Sequence, residues 1–144
     1  MNLENMKPFK PMLCNFKSMT DERGGRLFPV ECNKLPFLPA RVFWVIDTPK
    51  GSIRGKHAHA KCLQFYICVK GRIKIDMDIG QNQYEIQLES GDGIFVDKLV
   101  WTSETYQTGK DILLVLCSQS YDPDDYIYTK KDLDDQLFHR KDKK

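Results

Sequence analysis

No part of this chain stays apolar for long. No run approaches the roughly 18–20 residues of a membrane-spanning helix. The opening stretch, Met1 to Leu13, lacks the apolar segment of a signal peptide. A cytoplasmic protein with no membrane association is the expectation. An excess of either charge is also missing: 22 Lys and Arg against 20 Asp and Glu leave a net charge of +2. That is too mild to imply nucleic acid or an acidic membrane as partner, yet it suits a small anionic ligand. The five cysteines (Cys14, Cys32, Cys62, Cys68 and Cys117) form no CxxC and are odd in number, which reads as free thiols in a reducing compartment. Histidines number only three, and there is no internal repeat.

What is present describes one compact domain. A chain of 144 residues can bury a real core, and 41% hydrophobic with 29% charged residues argues against disorder. Residues 1–12 carry two prolines and little periodicity, and read as an N-terminal arm. Leu27 to Glu31 reads as a short strand and Arg41 to Asp47 as a strong one, β-branched and aromatic. Ile73, Ile75 and Met77 alternate with Lys74, Asp76 and Asp78, the pattern of a half-buried antiparallel strand. Tyr84 to Leu88 alternates likewise after a turn at 79–82, and Ile94 to Val96 follows the turn at 90–93. A loop from Asp97 leads to Trp101, and Asp111 to Ser118 reads as a buried strand. Only Lys130 to Arg140 resembles a helix, within a charged, solvated tail over 130–144. Many strands at about ten-residue spacing predict a single all-β barrel or sandwich over residues 13–129.

The stretch from Gly51 to Gly71 holds His57 and His59 at i and i+2. On an extended strand both imidazoles project to one side. Arg54-Gly55 precedes them and Gln64 follows five residues after His59. Such a pair suits a metal or a proton transfer. A catalytic metal needs about three protein ligands. Gln64 is a neutral, poor third ligand and His139 lies in the charged tail, so no metal and no cofactor are expected. Histidine, with an ordinary pKa of about 6.5, suits proton transfer at cytoplasmic pH.

The spacing of Gly51, His57-x-His59, Gln64 and Gly71 resembles the first cupin motif, with Gln where metal cupins usually carry Glu. Gly91 through Asp97 to Thr102 resembles the second, with Thr102 where a metal histidine would stand. More specifically, the chain resembles the dTDP-4-keto-6-deoxyglucose 3,4-ketoisomerases of the FdtA and QdtA type. The likeness is carried by Asp21-x-Arg23-Gly24, Arg41-Val42, Arg54-Gly55-x-His57-Ala58-His59, Val100-Trp101 and Tyr121-Asp122-x-x-Asp125-Tyr126-Ile127.

The resemblance implies a single-domain cupin (jelly-roll, double-stranded β-helix) barrel. The implied activity is a metal-independent isomerase acting on a dTDP-linked 4-keto-6-deoxy sugar, in deoxysugar synthesis for surface glycans. Moving the ketone from C4 to C3 requires a base to remove the C3 proton and return one at C4 through an enediolate. The family favours His57 as that base, with His59 beside it. Arg41 and Arg54 suit the nucleotide diphosphate, since guanidinium forks match phosphate oxygens; surface salt bridging is the competing reading. Arg23 and Arg26 are further candidates, Gln64 is expected on the histidine wall, and Trp101 either closes the sugar pocket or fills core. Phe43 stands where many relatives carry tyrosine, and so brings no hydroxyl. A homodimer is expected, with the N-terminal arm as an exchanged strand. A 3,5-epimerase on the same substrate, a non-catalytic sugar-nucleotide-binding cupin and a metal-dependent oxygenase are the alternatives.

Overall fold

The computed structural model describes residues 10–142, apart from the Lys141 side chain. The arm expected over residues 1–12 therefore falls mostly outside the described residues. Among the described residues, ten strands form two antiparallel sheets. The first orders β1 (Leu13–Asn15), β7 (Asp92–Val96), β4 (Gln64–Lys70), β9 (Ile112–Cys117) and β2 (Arg41–Val45) side by side. The second orders β10 (Tyr126–Ile127), β3 (Ile53–His59), β8 (Trp101–Tyr106), β5 (Arg72–Ile79) and β6 (Asn82–Glu89). Together they form a single-domain jelly roll, the all-β barrel that the strand spacing predicts and the cupin that the resemblance implies.

The core lies between the sheets because each strand turns alternate residues inward. Ile73, Ile75 and Met77 of β5 meet Leu88 of β6, Ile94 of β7 and Leu113 and Val115 of β9. The 72–79 and 82–89 strands pair in unbroken register around a turn at Gly80-Gln81, as their alternation predicts. Two expectations change. Of Leu27 to Glu31 only Leu27 bridges, to Met19; Pro29 cannot donate to a ladder, while Val30 packs against the Phe65 cluster. Residues 101–106, to which the sequence assigned no element beyond a loop leading to Trp101, are the β8 strand.

Helix α1 (Lys130–Asp142) covers the β10 end of the second sheet. It is anchored to the barrel, since Leu133 is buried with Ala58, Leu99 and Ile127. Among the described residues, no helix is long and apolar enough to cross a membrane. All five cysteines are free thiols.

Candidate active site

The two histidines leave the chain next to an irregularity. Strand β3 pairs with β8 as Arg54↔Glu104 and Gly55↔Ser103, then slips so that His57 faces Thr102. The extra residue is a β-bulge at Gly55-Lys56, both with positive φ (82° and 59°). In a regular strand residues 54 and 57 would point to opposite faces; one inserted residue puts both on the interior side. Arg54 and His57 accordingly line the same cavity, of about 220 Å³, between the sheets.

Gln64 and Tyr66 of β4 form its floor, with Glu104 and Tyr106 of β8 opposite and Tyr126 of β10 beside His57. Phe43, Val45, Leu113 and Val115 supply its apolar wall. The Tyr66 hydroxyl lies 3.3 Å from Gln64 Oε1 and 3.2 Å from Thr102 Oγ1, and so ties the two sheets together.

His57 and His59 share one side of β3, as their spacing predicts, with ring centroids 5.0 Å apart edge to face. Their environments differ. His57 opens on the cavity. His59 lies behind it, only 4% exposed. Its Nδ1 is 3.0 Å from Asp125 Oδ2. The same carboxylate accepts the Lys61 N–H at 2.7 Å and the Cys62 N–H at 3.3 Å. Asp125 therefore fixes the turn after β3 and assigns the His59 proton to Nδ1, leaving Nε2 as an acceptor. That Nε2 is buried without a hydrogen-bond partner among the described residues, as is the Tyr106 hydroxyl.

Burial lowers the pKa of both histidines, only partly offset by the Gly55 backbone for His57 and by Asp125 for His59. Burial thus favours the uncharged form of both rings. The Tyr126 ring, placed by its pairing with His59, packs 4.5 Å from the His59 ring and 5.2 Å from that of His57.

The structure thus brings together His57, His59, Arg54 and Gln64. Arg41 stands just beside them: its guanidinium lies 5.6 Å from the Phe43 ring centroid and 5.5 Å from that of Tyr121, next to Tyr126. Trp101 is elsewhere. It precedes the inward-facing Thr102, so it points to the outer face of the second sheet, where it lines a groove with Asp78 and Lys130. It does not close the histidine cavity. Arg23 and Arg26 line a separate surface hollow; Arg23 is paired with Asp21 at 2.5 Å and Arg26 lies over Phe28. Among the described residues, no group of three or more His, Cys, Asp or Glu is arranged to hold a metal ion.

The sequence did not single out Glu104, Tyr66, Tyr106 or the orienting role of Asp125. The first and third sit on β8, a stretch to which the sequence assigned no element. Asp125 was visible only as part of the Tyr121–Ile127 motif.

Comparisons with known proteins agree with this geometry. The family model described as FdtA, WxcM-like, C-terminal, matches residues 10–137. The TDP-4-oxo-6-deoxy-alpha-D-glucose-3,4-oxoisomerase of Aneurinibacillus thermoaerophilus is 36% identical over 115 residues, 78% of this chain and 82% of that protein. The sugar 3,4-ketoisomerase QdtA of Thermoanaerobacterium thermosaccharolyticum, solved with TDP, superposes with a TM-score of 0.82 at 33% identity, covering 90% of this chain and 96% of that one. A histidine-to-asparagine mutant of QdtA, in complex with TDP-4-keto-6-deoxyglucose, superposes equally well at 32% identity, with 90% and 95% covered. A cupin barrel with this paired-histidine cavity, matched along nearly its whole length, belongs to the FdtA (WxcM-like, C-terminal) family.

Proposed function

We propose that His57 carries a proton between C3 and C4 of a TDP-linked 4-keto-6-deoxyhexose, so that the ketone moves from C4 to C3. The chain is a TDP-sugar 3,4-ketoisomerase, an isomerase, like the relatives reported above. One observation carries the mechanism: His57 is the histidine that opens on the cavity, and its neighbour His59 is held from behind by a buried carboxylate. His57, in the uncharged form that burial favours, takes the C3 proton, and the electron pair moves into an enediolate. The imidazolium exchanges its proton with solvent and then protonates C4. Arg54, on the cavity wall, faces the negative oxygen.

A cavity of about 220 Å³ accepts a hexose ring but is smaller than the roughly 300–1,000 Å³ of clefts that enclose larger ligands. The nucleotide diphosphate therefore lies outside it, with Arg41 as its guanidinium contact. The protein works in the cytoplasm as a homodimer. Edge strand β2 presents Val42 and Trp44 outward, 51% and 61% exposed, an apolar stripe that a second subunit would cover.

Incubation with TDP-4-keto-6-deoxyglucose in deuterated buffer, followed by NMR, tests the assignment. The expected product has its ketone at C3 and deuterium at C4. A ketone still at C4 with deuterium at C3 and C5 would instead identify a 3,5-epimerase, and binding without turnover a carrier.

A further inference from the structure

We propose that Glu104 is the acid–base partner of His57, passing a proton between the two substrate oxygens while His57 passes one between the two carbons. This rests on the ketoisomerase reading and adds to it a residue that the histidine motif does not contain. Strand β8 turns Glu104 inward between Ser103 and Thr105, leaving it 5% exposed. Its carboxyl lines the cavity that His57 opens on. Gly55 makes room for it: a Cβ there would lie 2.7 Å from Glu104 Oε2 and 2.9 Å from Oε1. The bulge that aims His57 thus also admits the carboxyl.

The chemistry needs such a group. Moving a ketone to the adjacent carbon requires O4 to gain a proton and O3 to lose one, besides the carbon-to-carbon transfer. As His57 removes the C3 proton, negative charge builds on O4 against Arg54, and the Glu104 carboxylic acid then protonates that enediolate oxygen, giving the enediol. The resulting carboxylate then takes the O3 proton as imidazolium returns its proton to C4. Glu104 and His57 end as they began, and no co-reactant is consumed.

The titratable and charged groups facing Glu104 are Arg54 and His57 from β3, Tyr66 from β4, Tyr106 from β8 itself and Tyr126 from β10. Strands β2 and β9 contribute only apolar side chains to this cavity. Burial pushes Glu104 up to about 7, against the opposing pull of the Tyr66 hydroxyl and the Arg54 charge. Burial likewise raises the phenols of Tyr66, Tyr106 and Tyr126 above their ordinary value. Glu104 is therefore suited to both gain and lose a proton near neutrality, and the tyrosines are not.

The test compares the wild-type protein and Glu104→Gln for TDP affinity, melting temperature and the pH profile of kcat. In the wild type, kcat should rise as His57 deprotonates, below pH 6.5, and fall as Glu104 ionises near pH 7. E104Q should keep TDP affinity and the acid limb, lose the alkaline limb, and show kcat reduced by about 10²-fold or more. An E104Q protein turning over within threefold of wild type, with the same bell, overturns the role of Glu104 and leaves the ketoisomerase reading standing. A wild-type protein that yields no 3-keto sugar overturns both. Should E104Q not fold, the wild-type profile decides: a kcat with no decline near pH 7 overturns the proposal.

Discussion

Replacing Asp125 by asparagine isolates the support behind the histidine pair. Asp125 accepts three hydrogen bonds on two oxygens: Lys61 N–H on Oδ1, and His59 Nδ1–H and Cys62 N–H on Oδ2. Asparagine supplies one oxygen and one NH₂. With its oxygen on Lys61, the amide nitrogen meets the other two donors. His59 can respond by moving its proton to Nε2 and accepting at Nδ1, but Cys62 N–H is left facing a donor. A buried donor without an acceptor costs about 1–3 kcal/mol. At about 4 °C per kcal/mol for a domain of this size, D125N should melt about 4–12 °C below wild type. The His59 proton should relocate, visible as exchanged Nδ1 and Nε2 shifts in ¹⁵N NMR. Ketone migration should slow by about 10²-fold, the lower end of what a positioned acid–base group supplies. An Asp125→Asn protein that melts within 1–2 °C of wild type (roughly the effect of a neutral surface change), keeps the His59 tautomer and turns over normally would refute this account of Asp125.

Two further substitutions test the geometry. Gly55→Ala places a Cβ against the Glu104 carboxyl at a residue with φ of 82°. It should cost about 1–2 kcal/mol in backbone strain and lower kcat at least about tenfold by displacing groups in the cavity, read from thermal melts and steady-state rates. Trp101→Ala removes packing on the outer face of the second sheet. It should destabilise by about 1–3 kcal/mol while KM and kcat stay near wild type; a large rise in KM would place the indole in the substrate site after all.

The parts of the fold legible in the sequence were those where burial follows a strict two-residue period. Strand β5 shows it plainly, with Ile73, Ile75 and Met77 inward and Lys74, Asp76 and Asp78 outward, because one face meets core and the other solvent. Strand β8 was not legible for the opposite reason. Thr102 and Glu104 point inward while Ser103 and Thr105 point outward, so polar residues occupy both faces and the hydrophobic pattern vanishes. For the same reason Trp101 could be read either as closing the pocket or as filling core, since a one-residue parity decides which side of a sheet an indole occupies. His57 and His59 could be paired from spacing alone because no irregularity lies between them. That Arg54 joins them depends on the bulge at Gly55-Lys56, which no alternation rule anticipates. Asp125 meets His59 across 66 positions of chain, a contact made only when β10 adds to the edge of β3.

The most direct measurement follows the C3 hydrogen of TDP-4-keto-6-deoxyglucose in deuterated buffer with wild type and His57→Asn side by side, alongside TDP titrations of each. The wild-type protein should exchange that hydrogen and deliver the 3-keto sugar, whereas H57N should bind TDP with similar affinity and leave the C3 hydrogen in place. An H57N protein that still exchanges C3 at the wild-type rate would contradict the assignment of the travelling proton to His57.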